Sequence, residues 1–461
     1  MNQESTGFTP QDYKELEALL AKAGCGLSNN EAPASRWQDS LEYDSKGRIK
    51  QTNVNCRLVL ENDELLKDAI KLNELTGGID VVKDLGWQRD VITLTDTDVD
   101  NIIIYLEENY GLKVDKLIER GIRIVANENR YHPIKDKLNS LQWDGTKRLN
   151  KALHHFLGVD QTPLVTESLK LFMLGAAERI FNPGCKFEYM LCLVGGQGAG
   201  KSTFMRFMAL NDDWFSDDIK QLSDKDVFEH LQGHWIIEMP EMLAILQAKM
   251  VEETKAFLSR MKDNYRIKYE KRPADHKRQC VFSGTSNRLQ FLPPDKSGNR
   301  RFLPIEVNTE KAEVHILEDE SYSRAYFEQL WAEIMVIYKA KNYSLALSKE
   351  MQEDLVMEQA RFTPEDPMET AIVNFIEEKE PEYVCVKLLY EKALNHYRTD
   401  SPAAWESNSI GEIMDQRFKD TYKRVSSHSF SDYGTQRAWA RIRLSNFRPL
   451  SEKEEEELPF K

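Results

Sequence analysis

Residues 195–202 read GGQGAGKS and combine glycines with a lysine and a hydroxyl at a spacing suited to phosphate chemistry. Gly195, Gly200, Lys201 and Ser202 fit the pattern G-x-x-x-x-G-K-[ST], in which backbone N–H groups surround the phosphates. The lysine of that pattern reaches the β- and γ-phosphates, and the hydroxyl holds Mg²⁺. We therefore predict that ATP and Mg bind here, and that the contacting residues are Gly195, Gly196, Gln197, Gly198, Ala199, Gly200, Lys201, Ser202 and Thr203.

Two glutamates downstream have the right chemistry for a metal ion and a water molecule. The stretch HWIIEMPEM predicts an apolar strand at 235–237, directly before Glu238, and Glu241 follows three residues later. An acid at the end of a strand beside a phosphate loop can hold Mg²⁺ and activate water. We assign Glu238 to the metal and water shell and keep Glu241 as the competing general base. Either glutamate could instead cap a helix after Pro240.

Two further motifs could complete a site for ATP hydrolysis. The stretch CVFSGTSN predicts a strand at 280–282 that leads to Asn287, whose amide could orient water against a γ-phosphate. The stretch SGNRRFLPIEV places Arg300 and Arg301 before another strand. In a ring ATPase such an arginine can enter the neighbouring subunit's site and stabilise the transition state. The sequence does not choose between the two arginines, and paired surface charge is the alternative.

Two basic stretches stand out in an acidic chain of 461 residues with net charge −14. Residues 262–278 contain seven Lys or Arg and three acids, and within them NYRIKYEKR alternates tyrosines and an isoleucine with Arg and Lys. This pattern predicts a cationic β-hairpin that binds DNA through phosphate pairing and stacking. A solvated strand is the alternative. The second stretch, 414–448, contains eight Lys or Arg and three acids. The predicted DNA contacts are Tyr265, Arg266, Lys268, Lys271, Arg272, Arg437 and Arg441.

The composition of the chain argues against membrane-spanning, secreted and disulfide-rich proteins. No apolar stretch is long enough to span a bilayer, and the first residues lack the pattern of a signal peptide. Six scattered cysteines without a C-x-x-C pair suggest neither a zinc site nor a disulfide framework. We expect a cytoplasmic protein with reduced thiols and no membrane contact.

Elements that would position these residues follow from periodicity and capping signals. We expect a flexible arm at 1–50, an α+β domain and connector at 51–150, and a P-loop core at 151–310, where strands alternate with helices. Within the second segment, 56–62 reads as a strand, 63–77 as a helix, and 96–110 as a helix ended by Gly111. A calcium loop at 96–107 is disfavoured because Asn101 replaces the required glycine.

The C-terminal part reads as a helical lid, a small DNA-binding domain and a tail. We place the lid at 311–365, the domain at 366–450 and the acidic tail at 451–461. Helices at 368–378, 386–397 and 408–418, followed by two strands around Gly434, predict a winged-helix-like domain that binds duplex DNA.

The combined motifs resemble the virulence-associated protein E family, whose ATPase core is similar to the superfamily 3 helicases of phages and other mobile elements. The likeness rests on KFEYMLCLVGGQGAGKSTF, HWIIEMPEM, KAFLSRMKDNYRIKYEKR, CVFSGTSN and SGNRRFLPIEV. With its flanking stretches it covers about residues 55 to 445. It implies an AAA+-like ATPase that forms a ring, expected to be a homo-hexamer, around single-stranded DNA. It also places Lys255 and residues 265–272 in a motif that holds a central-channel hairpin. The acid motif departs from the family by lacking a paired Asp, which leaves the general base open.

Our main interpretation is therefore an ATP-driven DNA helicase of a prophage or mobile element. The leading alternative is a DNA-binding initiator or helicase loader that does not unwind DNA itself. A small-molecule kinase is a weaker third alternative, because the arginine pair and the basic hairpin argue against it. No paired-Asp site precedes the core, so we expect no primase activity.

Overall fold

The structure is a computed structural model that describes residues 37–219, 227, 230–240, 248–265, 274–293, 296–364 and 366–442. The chain divides into two compact units, Met1–Ser140 and Leu141–Lys461. The helices are α1 Asn53–Asn62, α2 Asp96–Tyr110, α3 Asp115–Glu128, α4 Pro133–Ser140, α5 Ala152–Leu157, α6 Pro163–Phe181, α7 Lys201–Met208, α8 Ala248–Leu258, α9 Glu320–Ala340, α10 Lys349–Arg361, α11 Pro367–Lys379, α12 Val386–Lys392 and α13 Ala404–Arg417. The strands are β1 Ile70–Asn73, β2 Ile79–Val81, β3 Arg130–Tyr131, β4 Met190–Val194, β5 Phe215–Ser216, β6 Ile236–Pro240, β7 Lys262–Tyr265, β8 Ala274–Lys277, β9 Val281–Ser286, β10 Phe302–Glu306, β11 Tyr383–Val384, β12 Tyr422–Phe430 and β13 Gly434–Arg441.

The first unit corrects our assignment of residues 56–77. The predicted strand at 56–62 is part of helix α1, whose start is capped by the Thr52 side chain accepting a hydrogen bond from the Asn55 amide. The predicted helix at 63–77 instead contains a turn and strand β1. Residues 56, 59 and 60 are buried, which is the spacing of one helix face. The run of leucine and valine is compatible with the periodicity of a helix and with that of a strand. Thr52, which can cap a helix start, was the sequence signal that favoured the helix.

Helix α2 confirms the predicted acidic capping. Thr95 and Asp98 form a reciprocal capping box, and Gly111 ends the helix with φ 67°. Arg89 and Trp87 donate hydrogen bonds to the Asp98 carboxylate. Asp98 therefore stabilises the helix start and the preceding loop. This is the capping role that we expected in place of a calcium loop.

A parallel five-stranded sheet forms the centre of the second unit, as the alternation of strands and helices predicted. Its order is β10-β4-β9-β6-β5, and every pairing is parallel. Strand β4 is buried at all five positions, which suits a strand covered by helices on both faces. Trp331 of α9 donates to the Met208 carbonyl at 2.7 Å and packs against Trp235, so α9 covers one side of the sheet.

A separate small core lies in the C-terminal part of this unit. Helices α11, α12 and α13 pack on a three-stranded sheet of order β11-β13-β12, with Trp439 buried among them. The structure confirms three helices followed by a hairpin, although the third helix begins at Ala404 and the second ends at Lys392. Gly434 follows the hairpin turn with φ 67°, a value that favours glycine. No helix in the described part of the chain is long and apolar enough to cross a membrane.

Candidate functional site

The glycine-rich loop connects β4 to α7 at the carboxyl edge of the sheet. Strand β4 ends at Val194 and helix α7 begins at Lys201. A Cβ atom at Gly195 would lie 2.8 Å from the carbonyl oxygen of Val307, and Gly200 has φ 76°. Both positions therefore require glycine, one for close backbone approach and the other for its backbone conformation. The loop geometry leaves the helix start directed towards the edge of the sheet, where an anion would be stabilised.

Lys201 joins this loop to the end of the neighbouring strand β9. Its Nζ donates to the carbonyl oxygens of Gly195 at 2.8 Å and Gly196 at 2.7 Å, and to Asn287 Oδ1 at 3.0 Å. The residue is only 7% exposed. Two residues that the sequence assigned separately, the lysine and the asparagine, are thus in direct contact.

Glu238 lies beside the same loop and is fully buried. Its Oε1 accepts hydrogen bonds from Ser202 Oγ at 2.8 Å and Thr285 Oγ1 at 2.6 Å. Its Oε2 is buried and has no hydrogen-bond partner among the described residues. Burial raises the pKa of Glu238, although the hydrogen bonds from Thr285 and Ser202 act in the opposite direction. A buried carboxylate oxygen without a partner is a position that a cation would stabilise.

Strand register explains why these side chains meet. Glu238 lies within β6 rather than after it, which corrects the predicted strand of 235–237. Strand β9 pairs with β6 on one side and β4 on the other, so Glu238 is opposite Ser283 and Val194 is opposite Ser286. Thr285 lies two residues beyond Ser283 and therefore shares the face of Glu238. Parallel pairing brings the carboxyl ends of all three strands to one edge.

The donor set fits a magnesium ion that also contacts phosphate oxygens. Ser202 Oγ and Glu238 supply oxygen ligands of the kind that Mg²⁺ prefers, and Mg²⁺ commonly binds few protein groups besides phosphate and water. In the described part of the chain no three His, Cys, Asp or Glu side chains form a metal cluster. Glu241, the competing base, lies outside the described residues.

The two arginines lie at the opposite edge of the sheet from the loop. They end the 3₁₀ helix Lys296–Arg301, directly before β10. Strand β10 pairs with β4 in parallel, with Phe302 opposite Met190 and Glu306 opposite Val194. Arg300 and Arg301 thus stand at the amino end of a strand whose carboxyl end neighbours the loop. The sheet separates them from Lys201 of their own chain.

The stem of the predicted basic hairpin is present. Strands β7 and β8 pair antiparallel from Lys262 with Lys277 to Tyr265 with Ala274. The Tyr265 ring packs against His276 at 4.1 Å between centroids, and burial raises the pKa of Tyr265 to about 12. The predicted contacts Arg266, Lys268, Lys271 and Arg272 lie outside the described residues.

Lys255 and the C-terminal arginines differ in accessibility. Lys255 is 5% exposed, so its burial disfavours the direct DNA contact that the resemblance implied. Arg441 is exposed but makes two hydrogen bonds to the Glu380 carboxylate, at 3.2 and 2.9 Å. Arg437 is exposed on β13 and lines a cavity of about 350 Å³ between α13 and the hairpin.

Sequence reasoning missed three polar residues with clear roles in this geometry. Thr285, two residues before Asn287, donates a hydrogen bond to Glu238. Glu188 and Ser259 both contact Arg301. Glu188 could have been noticed because it is an acid two residues before a fully apolar strand. Nothing in the sequence around Ser259 indicates its contact with Arg301.

Comparison with known proteins supports the fold and finds a family model that matches the central part of the chain. The apo structure of the NrS-1 C terminal region (305-718) matches with a TM-score of 0.50 at 14% identity, covering 85% of this chain and 100% of that chain. An A form apo structure of the same region gives a TM-score of 0.49 at 12% identity, with coverage of 85% and 100%. At such identity the first match indicates a shared fold alone.

No curated protein sequence matches the chain significantly. The model of the virulence-associated protein E-like domain matches residues 138–364. Residues 138–364, which contain the glycine-rich loop, Glu238 and Asn287, therefore form a virulence-associated protein E-like domain.

Proposed function

We propose that this protein is a Mg-dependent ATPase that unwinds DNA during replication of a phage or mobile element. One observation carries the proposal: Lys201, Ser202, Glu238 and Asn287, which come from three separate segments, meet within hydrogen-bond distance at one edge of a parallel sheet. Such convergence of a glycine-rich loop, a cation, an acid and an amide suits phosphoryl transfer, where positioning and electrostatics dominate catalysis. The family of the central domain supports the replication context.

Each residue would have a distinct role in nucleotide binding and hydrolysis. The loop amides and Lys201 would bind the phosphates, while Ser202 and Glu238 would hold Mg²⁺. When bound, the metal ion supplies charge neutralisation at the phosphate oxygens. Asn287 Oδ1 already fixes Lys201, and its amide would orient a water molecule at the same edge. Glu238 or Glu241 would accept the proton of that water.

The position of the arginine pair supports action between subunits. Strand β10 has five residues, so its two ends are separated by roughly 15 Å at about 3.3 Å per residue. Arg300 and Arg301 therefore reach outward from the edge opposite their own loop. A ring in which this edge faces the next subunit's loop would bring an arginine to each nucleotide, and we propose a homo-hexamer.

DNA contacts are proposed at two places. The antiparallel stem of β7 and β8 supports a projecting hairpin whose basic residues would follow one strand through the ring. The order of helices and strands in 366–442 supports a winged-helix-like domain on duplex DNA. Arg437 is the exposed arginine we favour there, since Arg441 already pairs with Glu380.

Strand separation on a forked DNA duplex tests the proposal directly. The parent should unwind the fork only with Mg·ATP, and Lys201→Ala should abolish both hydrolysis and unwinding. Arg266→Ala/Lys268→Ala should still bind ATP but lose unwinding. A matched control is Lys116→Ala/Arg123→Ala, which removes two exposed charges from α3 and should unwind normally.

Hydrolysis and duplex binding without unwinding would reject the helicase. That result would favour the alternative, an initiator or loader in which ATP controls assembly on DNA. If Lys201→Ala hydrolysed ATP like the parent, the nucleotide site itself would be wrong.

A further inference from the structure

A three-residue junction at the amino edge of the sheet engages one of the two arginines. Arg301 Nε donates to Glu188 Oε2 at 3.1 Å and to Ser259 Oγ at 3.2 Å. Ser259 Oγ in turn lies 2.8 Å from Glu188 Oε2 as a donor. Three elements meet here, because Glu188 precedes β4, Ser259 follows α8, and Arg301 precedes β10.

The two neighbouring arginines differ sharply in exposure. The Arg301 side chain is 15% exposed, whereas that of Arg300 is 72% exposed. Arg300 Nη2 lies 3.9 Å from Glu188 Oε1, the oxygen that Arg301 does not use. Burial raises the pKa of Glu188, but the Ser259 hydrogen bond and the Arg301 charge outweigh it, so its pKa is lowered overall. Glu188 is therefore an anion that holds one arginine closely and lies near the other.

A buried ion pair at the base of the β7–β8 stem lies close in sequence to Ser259. Ser259 lies four residues before Asp263, which forms a bidentate pair with Arg278 at 2.8 and 3.0 Å. Both side chains of this pair are almost fully buried, at 3% and 1% exposed. The Arg278 amide also donates to the Met261 carbonyl at 3.0 Å. The segment that carries Ser259 is thus tied to Arg278, which leads into β9, and Ser259 Oγ also lies 2.9 Å from the Lys255 carbonyl oxygen.

We propose that Glu188 is a positioning residue that clamps Arg301 and thereby presents Arg300 as the catalytic arginine for a second copy of this chain. This inference rests on the proposed ATPase function and selects one arginine of the pair. Arg301 has its Nε and much of its surface committed within its own chain. Arg300 is largely exposed, and its long ion pair with Glu188 Oε1, at 3.9 Å, restrains its direction without burying it. Guanidinium groups suit the charge of a transferring phosphoryl group because they present several donors in a plane.

Conservative substitutions separate the two arginines. Arg300→Lys should lower kcat for ATP at least about 100-fold, because a lysine cannot reproduce the planar donors at the transition state. Arg301→Lys should lower kcat no more than about threefold, since a single charged contact to Glu188 can be kept. Glu188→Gln should lower kcat about tenfold and leave nucleotide affinity unchanged. Ser259→Ala should show the same pattern more weakly, and all four variants should keep the parent's circular dichroism spectrum.

Mixing variants tests whether the effect crosses between subunits. Glu188→Gln chains keep an intact loop, and Lys201→Ala chains keep an intact Glu188 and Arg300. Combined in equal amounts, they should hydrolyse ATP faster than the sum of the two alone, because about a quarter of the interfaces would join an intact loop to an intact arginine. Glu320→Gln, which removes the carboxylate facing Arg324 on α9, is the matched control and should match the parent.

The outcomes distinguish this inference from the proposed function. Loss of activity in Arg301→Lys with normal activity in Arg300→Lys would overturn the choice of Arg300. Absence of recovery on mixing would overturn action on a second copy and make Glu188 a residue of its own subunit's fold. An inactive parent would reject the proposed ATPase, and the inference with it.

Discussion

The buried carboxylate of Glu238 lowers the stability of the fold but suits the proposed metal site. Its carboxylate is 0% exposed and has one oxygen without a hydrogen-bond partner among the described residues. Burying a charge without full compensation lowers the free energy of unfolding. The pKa of Glu238 is raised for the same reason, because the folded protein favours the neutral carboxyl over the carboxylate. A bound cation would relieve that cost, which is why such a carboxylate suits a metal site better than a structural role.

Glu238→Gln should stabilise the nucleotide-free protein at neutral pH while abolishing ATP hydrolysis. Because the native pKa is raised above the ordinary value of 4.5, the cost of the charge is absent below pH 4.5 and fully present above the native pKa. The stability advantage of the variant should therefore grow as the pH rises from 4.5. Urea unfolding across a pH series measures the difference between the two proteins.

The exposed carboxylate of Glu320, which is 52% exposed, provides the control for this experiment. Glu320→Gln should change the free energy of unfolding at neutral pH by at most about 1 kcal/mol, because it breaks only an exposed ion pair. A Glu238→Gln variant whose stability relative to the parent did not depend on pH would contradict the assigned cause.

At the scale of elements, the hairpin stem is anchored by a buried ion pair instead of an apolar cluster. Asp263 on β7 and Arg278 after β8 hold the two ends of the ribbon together, and Arg278 also lies over the rings of Phe257 and Phe282. Removing one member of such a pair leaves an uncompensated charge in the interior. The pair therefore holds the two strands of the stem together at their base.

Arg278→Met should lower the free energy of unfolding by about 3–5 kcal/mol, because Asp263 would remain buried without its bidentate partner and would keep only the longer ion pair with Arg260, at 3.8 Å. The double variant Asp263→Leu/Arg278→Met should be less destabilised than Arg278→Met alone, since no buried charge remains. Denaturant unfolding of the two variants measures the difference. Lys262→Met, which breaks an exposed pair with Asp275 in the same ribbon, should cost at most about 1 kcal/mol. A double variant less stable than the single one would show that the pair is not compensating a buried charge.

At the scale of the whole molecule, the two units have separate hydrophobic cores. The first unit packs residues such as Val59, Leu106 and Ile122 together, while the sheet of the second packs Cys192, Ile237 and Phe282. The candidate nucleotide site lies entirely in the second unit. A ligand at that site should therefore stabilise one unit and leave the other unchanged.

Calorimetry with and without Mg·ATP tests this separation. At a free nucleotide concentration of about 100 times Kd, the part of the second unit built on the parallel sheet should gain about 2.7 kcal/mol, and its transition should move to higher temperature. The transition of the first unit should not move. Lys201→Ala should remove the shift, whereas Lys349→Ala, an exposed lysine at the start of α10, should keep it. An equal shift of both transitions would contradict independent units.

Local sequence signals predicted part of this fold. Thr95, Asp98 and Gly111 specified the two ends of α2, because capping depends on groups only a few residues apart. The stretch from Leu191 to Ser202 likewise specified a strand, a turn and a helix start. The same local reasoning failed at residues 56–77, where leucine and valine runs suit a helix or a strand equally well and the neighbouring packing decides.

By itself, then, the sequence determined the glycine-rich loop motif, the alternation of strands and helices, the antiparallel stem of the predicted hairpin and a set of separate candidate residues. Only the tertiary structure decided that β9 lies between β4 and β6, so that Thr285 and Asn287 reach Glu238 and Lys201. It alone showed Arg301 clamped by Glu188 and Ser259, with Arg300 exposed beside it. The physical reason is that strand order and register arise from pairing between segments far apart in the chain, whereas caps and loops depend on near neighbours.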